Sequence, residues 1–368
     1  MNRREMLKSV GGAALGATLF TGAAGAKPDG HIVPGGPWLT ENEPRKVEAF
    51  HDYEELVAAL DRLQRSSERE FAVESVGTSN QGRDIHLARV GSGDADVMFV
   101  TQQHGNEPHG TEAALSMLQY LASGSTSVDD LLEEVTVNVV PRVNPDGSEP
   151  ELFQRYNVDP DAPARDTSEG FFTSPDAGVG WDVNRYHWPD WTESDLYQNR
   201  PDEYPENPVP EAQAVVDAVA EVDPLWVVDV HNQGTYVTDD GEMITTSMFW
   251  PIAEGVPTDA QNLSKQLVRH AYDHVSKFGY AEATQYPGGT YPGIARNSYG
   301  LQGYGSVLVE IRGGVGQKSN GKLTRLALEI MTSVVDGTAD GSVFEVDPDG
   351  AEEIPERGDY YYRDLPPE

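Results

Sequence analysis

Apolar residues recur along this chain with two different periods, and the two alternate. Leu56, Ala59, Leu60 and Leu63 stand at helical spacing and predict an amphipathic helix over Phe50–Leu63. Two short strands are predicted next, Phe71–Val76 and Ile85–Val90, joined by a Ser79-Asn80-Gln81-Gly82 turn. Val97–Thr101 is a continuous apolar run and predicts a buried strand. Pro108–Ala122 reads as a helix, Val135–Val140 as a strand, and Pro210–Val222 as a helix leading into a strand over Leu225–Val230. A helix over Lys265–Phe278, a strand over Ser306–Glu310 and a closing helix over Lys322–Val335 complete the series. Residues 147–208 are rich in Pro, Asp and aromatic residues and carry no clear period; within them 148–180 read as an insertion able to rim a cleft. Strands alternating with helices predict an α/β fold: a mixed, mostly parallel twisted sheet with helices on both faces. Such sheets bind ligands beyond the carboxyl ends of their strands.

The ends of the chain stand apart from this pattern. Asn2-Arg3-Arg4 opens it, a mild apolar run follows over Val10–Phe20, and Ala24-Gly25-Ala26 offers a small-x-small cleavage site. Residues 1–26 therefore read as a Tat-type export signal, too short for a transmembrane span, and predict an extracellular or cell-surface protein. Residues 27–47, with four prolines, read as an extended lead. One catalytic domain is expected over 48–338. Residues 339–368 hold ten acids and two arginines from Asp340 on, and read as an acidic, loosely held appendage.

Charge narrows the function. Lys plus Arg is 26 and Asp plus Glu is 61, a formal net charge of −35. That balance excludes a nucleic-acid binder working by phosphate neutralisation, and a polybasic membrane anchor. The acids are spread along the chain and lysines number seven, the composition expected of a salt-adapted, halophilic (archaeal) protein whose self-repulsion is screened in molar salt. There is no cysteine, which removes disulfides, thiolate metal sites and Cys nucleophiles. No phosphate loop, Gly-x-Ser-x-Gly elbow or His-Glu-x-x-His helix is present.

Metal and acid–base chemistry gathers instead at the predicted strand ends. Val97–Val100 runs into Thr101-Gln-Gln-His104-Gly-Asn-Glu107, Leu225–Val230 ends in His231, and Val307–Val309 ends in Glu310. Imidazole and carboxylate ligands suit Zn²⁺, and three of them leave the fourth position for water. His-x-x-Glu occurs three times: His51/Glu54 reads as a solvated helix face, His109/Glu112 as surface or supporting residues, and His104/Glu107 alone fills a strand-to-helix loop.

With these pieces in order, the chain resembles the zinc metallocarboxypeptidases of the carboxypeptidase A type. The matching residues are Phe50-His-Asp-Tyr-Glu-Glu-Leu56, Gly82-Arg83, His104-Gly-Asn-Glu107, Pro141-Arg-Val-Asn-Pro-Asp-Gly147, Asp182-Val-Asn-Arg185, Pro210-Glu-Ala-Gln213, Asp229-Val-His231 and Val309-Glu310, spread over about residues 50–335. The resemblance implies one Zn²⁺ per chain on His104, Glu107 and His231. It implies that Asp182 fixes the tautomer of His104, and that Glu310 is the general base. It implies that Arg155 faces the oxyanion, that Asn184 and Arg185 clamp a terminal carboxylate, and that Tyr286 closes over the substrate; Tyr291, five residues on, competes for that last role. Trp181, Trp188 and Trp191 are expected to pack the insertion. The implied partners are peptide substrates, with no obligate protein partner evident. His-Gly-Asn-Glu and Asp-Val-His-Asn232 also resemble the aspartoacylase and succinylglutamate desuccinylase relatives, so an amidohydrolase acting on N-acyl amino acids or cell-envelope amides stays open. The stretch Pro287–Tyr299 departs from the carboxypeptidase pattern, and Arg296 in it can meet an acidic side chain or balance local charge.

Overall fold

The computed structural model describes residues 49–164, 170–173, 178–313 and 320–359. The expected export signal and the extended lead lie outside the described residues. The strands are β1 (Phe71–Thr78), β2 (Asp84–Val90), β3 (Ala95–Thr101), β4 (Val135–Val140), β5 (Trp226–Gln233), β6 (Thr246–Phe249), β7 (Ala283–Gln285) and β8 (Gly305–Arg312). The helices are α1 (Tyr53–Ser66), α2 (His109–Leu121), α3 (Thr126–Glu134), α4 (Asp195–Asn199), α5 (Pro210–Val222), α6 (Thr258–Val275), α7 (Ala295–Leu301) and α8 (Asn320–Ala339). One eight-stranded sheet runs in the order β1-β2-β4-β3-β5-β8-β6-β7. Its centre, β4-β3-β5-β8, is parallel; β1, β2 and β6 enter antiparallel. The α/β architecture expected from the alternating periods is present.

The central strands are buried along their length: β4, β5 and β8 expose none of their residues. Helices α1, α2, α6 and α8 cover one face, through Leu60, Leu118, Leu267 and Met331 against Val97, Phe99 and Val228. Helix α5 covers the other, through Val215 and Val219 against Met98, Val100 and Val227. At roughly 25 cal/mol per Å² of apolar surface removed from water, these two layers supply the main favourable term. Local signals set the boundaries. Asp52 accepts from Glu55 N at 2.8 Å while Glu55 reaches back to Asp52 N, so α1 starts at Tyr53 and not at Phe50. The turn before β2 forms as expected, with Gly82 at φ 84° closing onto Ser79 O.

Five elements have no counterpart in the apolar pattern. Helices α3 and α4 are short and largely polar, β6 and β7 are too short to show a period, and α7 is written in the weak helix formers Asn297, Ser298 and Gly300. The periodless stretch is organised by aromatic packing. Trp181, Trp188 and Trp191 are buried, and Trp181 lies edge-on to Tyr186 and Tyr204 at 5.4 and 5.7 Å.

The acidic carboxyl-terminal segment differs from the loose appendage expected, as far as residue 359. Val343, Ala351 and Ile354 are buried against the body. Gln285 Nε2 lies within hydrogen-bond reach of the carbonyls of Ala351, Glu352 and Ile354, and Arg357 N donates to Gln285 O. Spaced apolar residues among the acids anchor the segment, an effect net charge alone does not report. Among the described residues no helix is long and apolar enough to cross a membrane.

Candidate metal centre and active site

The first half of the site is a loop at the carboxyl end of β3. Gln102 turns the chain there at φ 53°, a left-handed backbone uncommon for a side-chain-bearing residue, and its amide donates to Gly105 O at 2.8 Å. The loop rests on the turn after β4. Asp146 of that turn accepts from Arg83 Nη1 at 2.6 Å and from Gln81 N at 3.0 Å, which joins the Gly82-Arg83 and Asn-Pro-Asp-Gly motifs. Gly105 meets Gly147 so closely that a Cβ would stand 2.2 Å from the Gly147 carbonyl carbon. Gly105→Ala is therefore expected to cost about 3 kcal/mol. It should also weaken zinc binding by about tenfold, because the displaced backbone carries His104 and Glu107. Chemical denaturation and a metal titration check both.

Three side chains converge beyond that loop. His104 Nδ1 lies 2.9 Å from Glu107 Oε1, His231 Nδ1 lies 2.8 Å from Glu107 Oε2, and the two Nδ1 atoms are 3.1 Å apart. All three residues are buried. The far nitrogens are engaged elsewhere: His104 Nε2 on Asp182 Oδ1 at 3.0 Å, His231 Nε2 on Asp229 Oδ2 at 2.9 Å. With Nε2–H donated to a carboxylate on each ring, both Nδ1 lone pairs point at each other and at an ionised carboxylate. With both rings neutral, that donor set has no proton between its atoms and fits a cation. Its ligand atoms lie within 4.8 Å of one another, and the chemistry is that of a zinc site with an open position.

The electrostatics favour positive charge at this point. Burial works against the ionised Glu107, but His104 and His231 outweigh it and hold the carboxyl well below its usual range. Burial also works against a charged His231, yet Asp229 and Glu107 hold its pKa well above the ordinary value. Asp182 is held well below its usual value despite burial, by Arg185, Arg155 and His104.

Asp182 stands where the motif placed it, and Asp229 does the same work for His231. Sequence reasoning used Asp229 only as part of a motif; two positions before His231 on one strand, it shares that residue's face of the sheet. A buried chain extends from it. Gln103 Nε2 donates to Asp229 Oδ1 at 2.8 Å, His187 Nε2 lies 2.5 Å from Gln103 Oε1, and His187 Nδ1 lies 2.7 Å from the Tyr299 hydroxyl. Burial pushes His187 down to about 4, so it stays neutral.

Glu310 sits opposite His231 in the β5–β8 ladder. Its Oε2 is buried and has no hydrogen-bond partner among the described residues. Burial pushes its carboxyl up to about 7. Arg155 is drawn in as well, with Nη1 3.3 Å from Glu107 Oε1 and Nη2 3.5 Å from Asp182 Oδ2. Asn184 has a different occupation from the one expected. Its Nδ2 lies 3.4 Å from Asp229 Oδ2 and 3.0 Å from His231 Nε2, and its Oδ1 accepts from Ala295 N at 2.9 Å. The side chain braces His231 and the start of α7. Arg185 beside it is only partly buried; Nη1 donates to Asn184 O and stands 3.9 Å from Asp182. Tyr286 and Tyr291 have different surroundings. Tyr291 packs against Phe172 and Trp188, at 4.7 and 5.9 Å between ring centroids. Burial and then Glu310 push the Tyr286 phenol up, so it stays protonated.

Two of the three His-x-x-Glu matches find other uses. His109 is fully buried, edge-on to Phe50 at 5.4 Å, which fits the supporting place expected of that match and not the surface one. Its Glu112 bonds His51 Nδ1 at 2.9 Å, which pairs two of the matches with each other.

The docked carboxyl-terminal segment adds Arg357, a residue the sequence pattern did not single out. Its guanidinium covers Tyr236 at 3.6 Å and Tyr286 at 4.5 Å and donates to Gln233 Oε1 at 2.8 Å. Arg357→Ala is expected to raise KM about fivefold with kcat within about twofold, since it uncovers Tyr286. It should also cost about 1–2 kcal/mol of stability. Steady-state kinetics and urea unfolding measure the two effects.

Comparison with known proteins now bears on the same residues. The family model described as zinc carboxypeptidase matches residues 56–312. Carboxypeptidase B of Astacus astacus is 34% identical over 102 residues, 27% of this chain and 34% of that protein. The catalytic chain of human carboxypeptidase N is 25% identical over 187 residues, 45% of this chain and 38% of that one. The chain thus matches little more than a third of the length of these two relatives. Among solved structures, carboxypeptidase A of Helicoverpa armigera superposes with a TM-score of 0.59 at 18% identity, covering 82% of this chain and 78% of that one. That likeness is one of fold, and the family match spans the strand ends carrying His104, Glu107, His231 and Glu310: the chain belongs to the zinc carboxypeptidase family.

Proposed function

We propose that the protein is an exported, salt-adapted zinc carboxypeptidase that removes the C-terminal residue of peptides. One observation carries the reading: two imidazole nitrogens and the Glu107 carboxylate converge beside Glu310, whose buried oxygen has no partner among the described residues. His104, Glu107 and His231 would hold the zinc, which would supply Lewis-acid polarisation of the scissile carbonyl and a more acidic water. Glu310 takes a proton from the attacking water and passes it to the leaving amine. Asp182 and Asp229 keep His104 and His231 in the tautomer that turns Nδ1 inward. Arg185 presents its fork to the terminal carboxylate, and Arg155 faces the developing oxyanion. Tyr286 closes over the bound residue. The twin-arginine signal in residues 1–26 supports export, and the −35 net charge supports work at high salt.

The test is release of free amino acid from N-blocked peptides by the zinc-loaded protein in molar KCl, beside a set of N-acyl amino acids. Release from peptides that stops with a chelator and returns with zinc is expected. Hydrolysis confined to N-acyl amino acids would instead favour an amidohydrolase.

A further inference from the structure

Arg296 is a buried cation with little to hold it. It is the second residue of α7, whose first residue is pinned to the site by the Ala295 N to Asn184 Oδ1 bond. Its relative exposure is 1%. Among the described residues its guanidinium makes one hydrogen bond, Nη2 to Gly289 O at 2.7 Å, and no ion pair. It lies 5.2 Å from the Phe249 ring centroid, and its Nε is buried with no acceptor among the described residues. Arg155, by contrast, lies against both Glu107 and Asp182. A buried guanidinium short of acceptors is costly, and acids outnumber bases by more than two to one in this chain, so a pairing carboxylate was easy to supply.

Its surroundings say what the missing partner is. A Cβ on Gly288 would fall 2.7 Å from both Nη1 and Nη2, so the strip that carries Tyr286 passes directly over the guanidinium with no side chain between. The backbone on either side of Arg296 belongs to the site: Ala295 N donates to Asn184 Oδ1, and Gly288 follows Tyr286 two residues on. Arg296 thus adjoins both the Asn184-Arg185 turn and the strip that carries Tyr286. A residue whose α-carboxylate lies on Arg185 brings its own side chain towards Arg296.

We propose that Arg296 gives the enzyme a preference for peptides ending in an acidic residue, glutamate or aspartate, by pairing its guanidinium with the side-chain carboxylate. This rests on the carboxypeptidase reading and sharpens it. Glutamine matches glutamate in shape and lacks only the charge, so the pair isolates the interaction.

The experiment is kcat/KM for N-blocked peptides identical but for a final Glu, Asp, Gln, Leu or Lys, with wild type, Arg296→Gln and Arg296→Lys. Wild type should favour Glu over Gln by about 10- to 100-fold, the range of a charge-assisted hydrogen bond. In Arg296→Gln that ratio should fall to about one. In Arg296→Lys it should fall but stay above one, since a point charge remains without the fork. Near-UV circular dichroism and zinc content report whether each variant is folded; if Arg296→Gln is not, Arg296→Lys and the wild-type panel decide. A wild type that prefers Leu or Lys ends, or a folded variant that keeps the wild-type ratio, overturns the assignment and leaves the carboxypeptidase reading standing. Release from no peptide in the panel overturns both.

Discussion

Glu310→Gln is expected to lower kcat by about 10³-fold, with KM within about threefold of wild type and one zinc still bound per chain. The size follows from what is removed. General acid–base catalysis contributes roughly 10²- to 10⁴-fold, and Glu310 is assigned both proton transfers. Glutamine keeps the volume and the β8 backbone, so the ladder to His231 is untouched, but its amide cannot accept a proton at neutral pH. None of the three proposed zinc ligands changes. The same substitution is expected to raise stability by about 1 kcal/mol. A buried carboxylate oxygen without a partner is a cost to folding, and a neutral amide lowers it. Single-turnover kinetics, metal analysis and thermal unfolding read the three quantities. A variant within tenfold of wild type would remove Glu310 from the role of base, and loss of zinc would place it among the ligands instead.

Legibility in the sequence followed burial. The parallel strands at the centre of the sheet are apolar runs because helices cover both their faces, and residues placed just past such runs, His104, His231 and Glu310, stand out by contrast. Asp182 was visible only through its motif, since no periodic element surrounds it. Asp229 was masked by its own strand: one acid inside Trp226–Gln233 reads as an interruption until the residue two places on is assigned to zinc. Asn184 shows a different limit. Its neighbour Arg185 shares the motif, but the backbone turn at Val183–Arg185 sends one side chain into the protein and leaves the other partly exposed. The carboxyl-terminal segment was misjudged because its charge is conspicuous, while its anchors Val343, Ala351 and Ile354 are few and far apart. Arg357 arrives in the site by that route, from a distance along the chain that no local pattern encodes.

Removing zinc is expected to lower the melting temperature by roughly 5–10 °C near neutral pH, by a margin that grows with pH. A ligand at about 1,000 times its Kd stabilises by roughly 4 kcal/mol, and each kcal/mol moves a domain of this size by about 2 °C. The pH dependence comes from what replaces the metal. In the zinc-free protein Asp229 and Glu107 raise the pKa of His231 well above its unfolded value, so a proton takes up part of the cation's work. A raised folded pKa stabilises fully below the unfolded value of about 6.5 and loses that contribution as pH climbs through the folded pKa. Zinc needs the neutral imidazole, so the loaded protein gains from rising pH where the zinc-free protein loses. Glu107 and Asp182, held low, release their contributions only under strongly acid conditions and leave the neutral range unaffected. Melting curves of both forms at pH 6, 7.5 and 9 in molar KCl should therefore diverge. Curves that stay parallel would mean that no proton substitutes for the metal. Curves that coincide would mean that the His104, Glu107 and His231 cage does not bind it, and the lone pairs facing each other across 3.1 Å would need another cation.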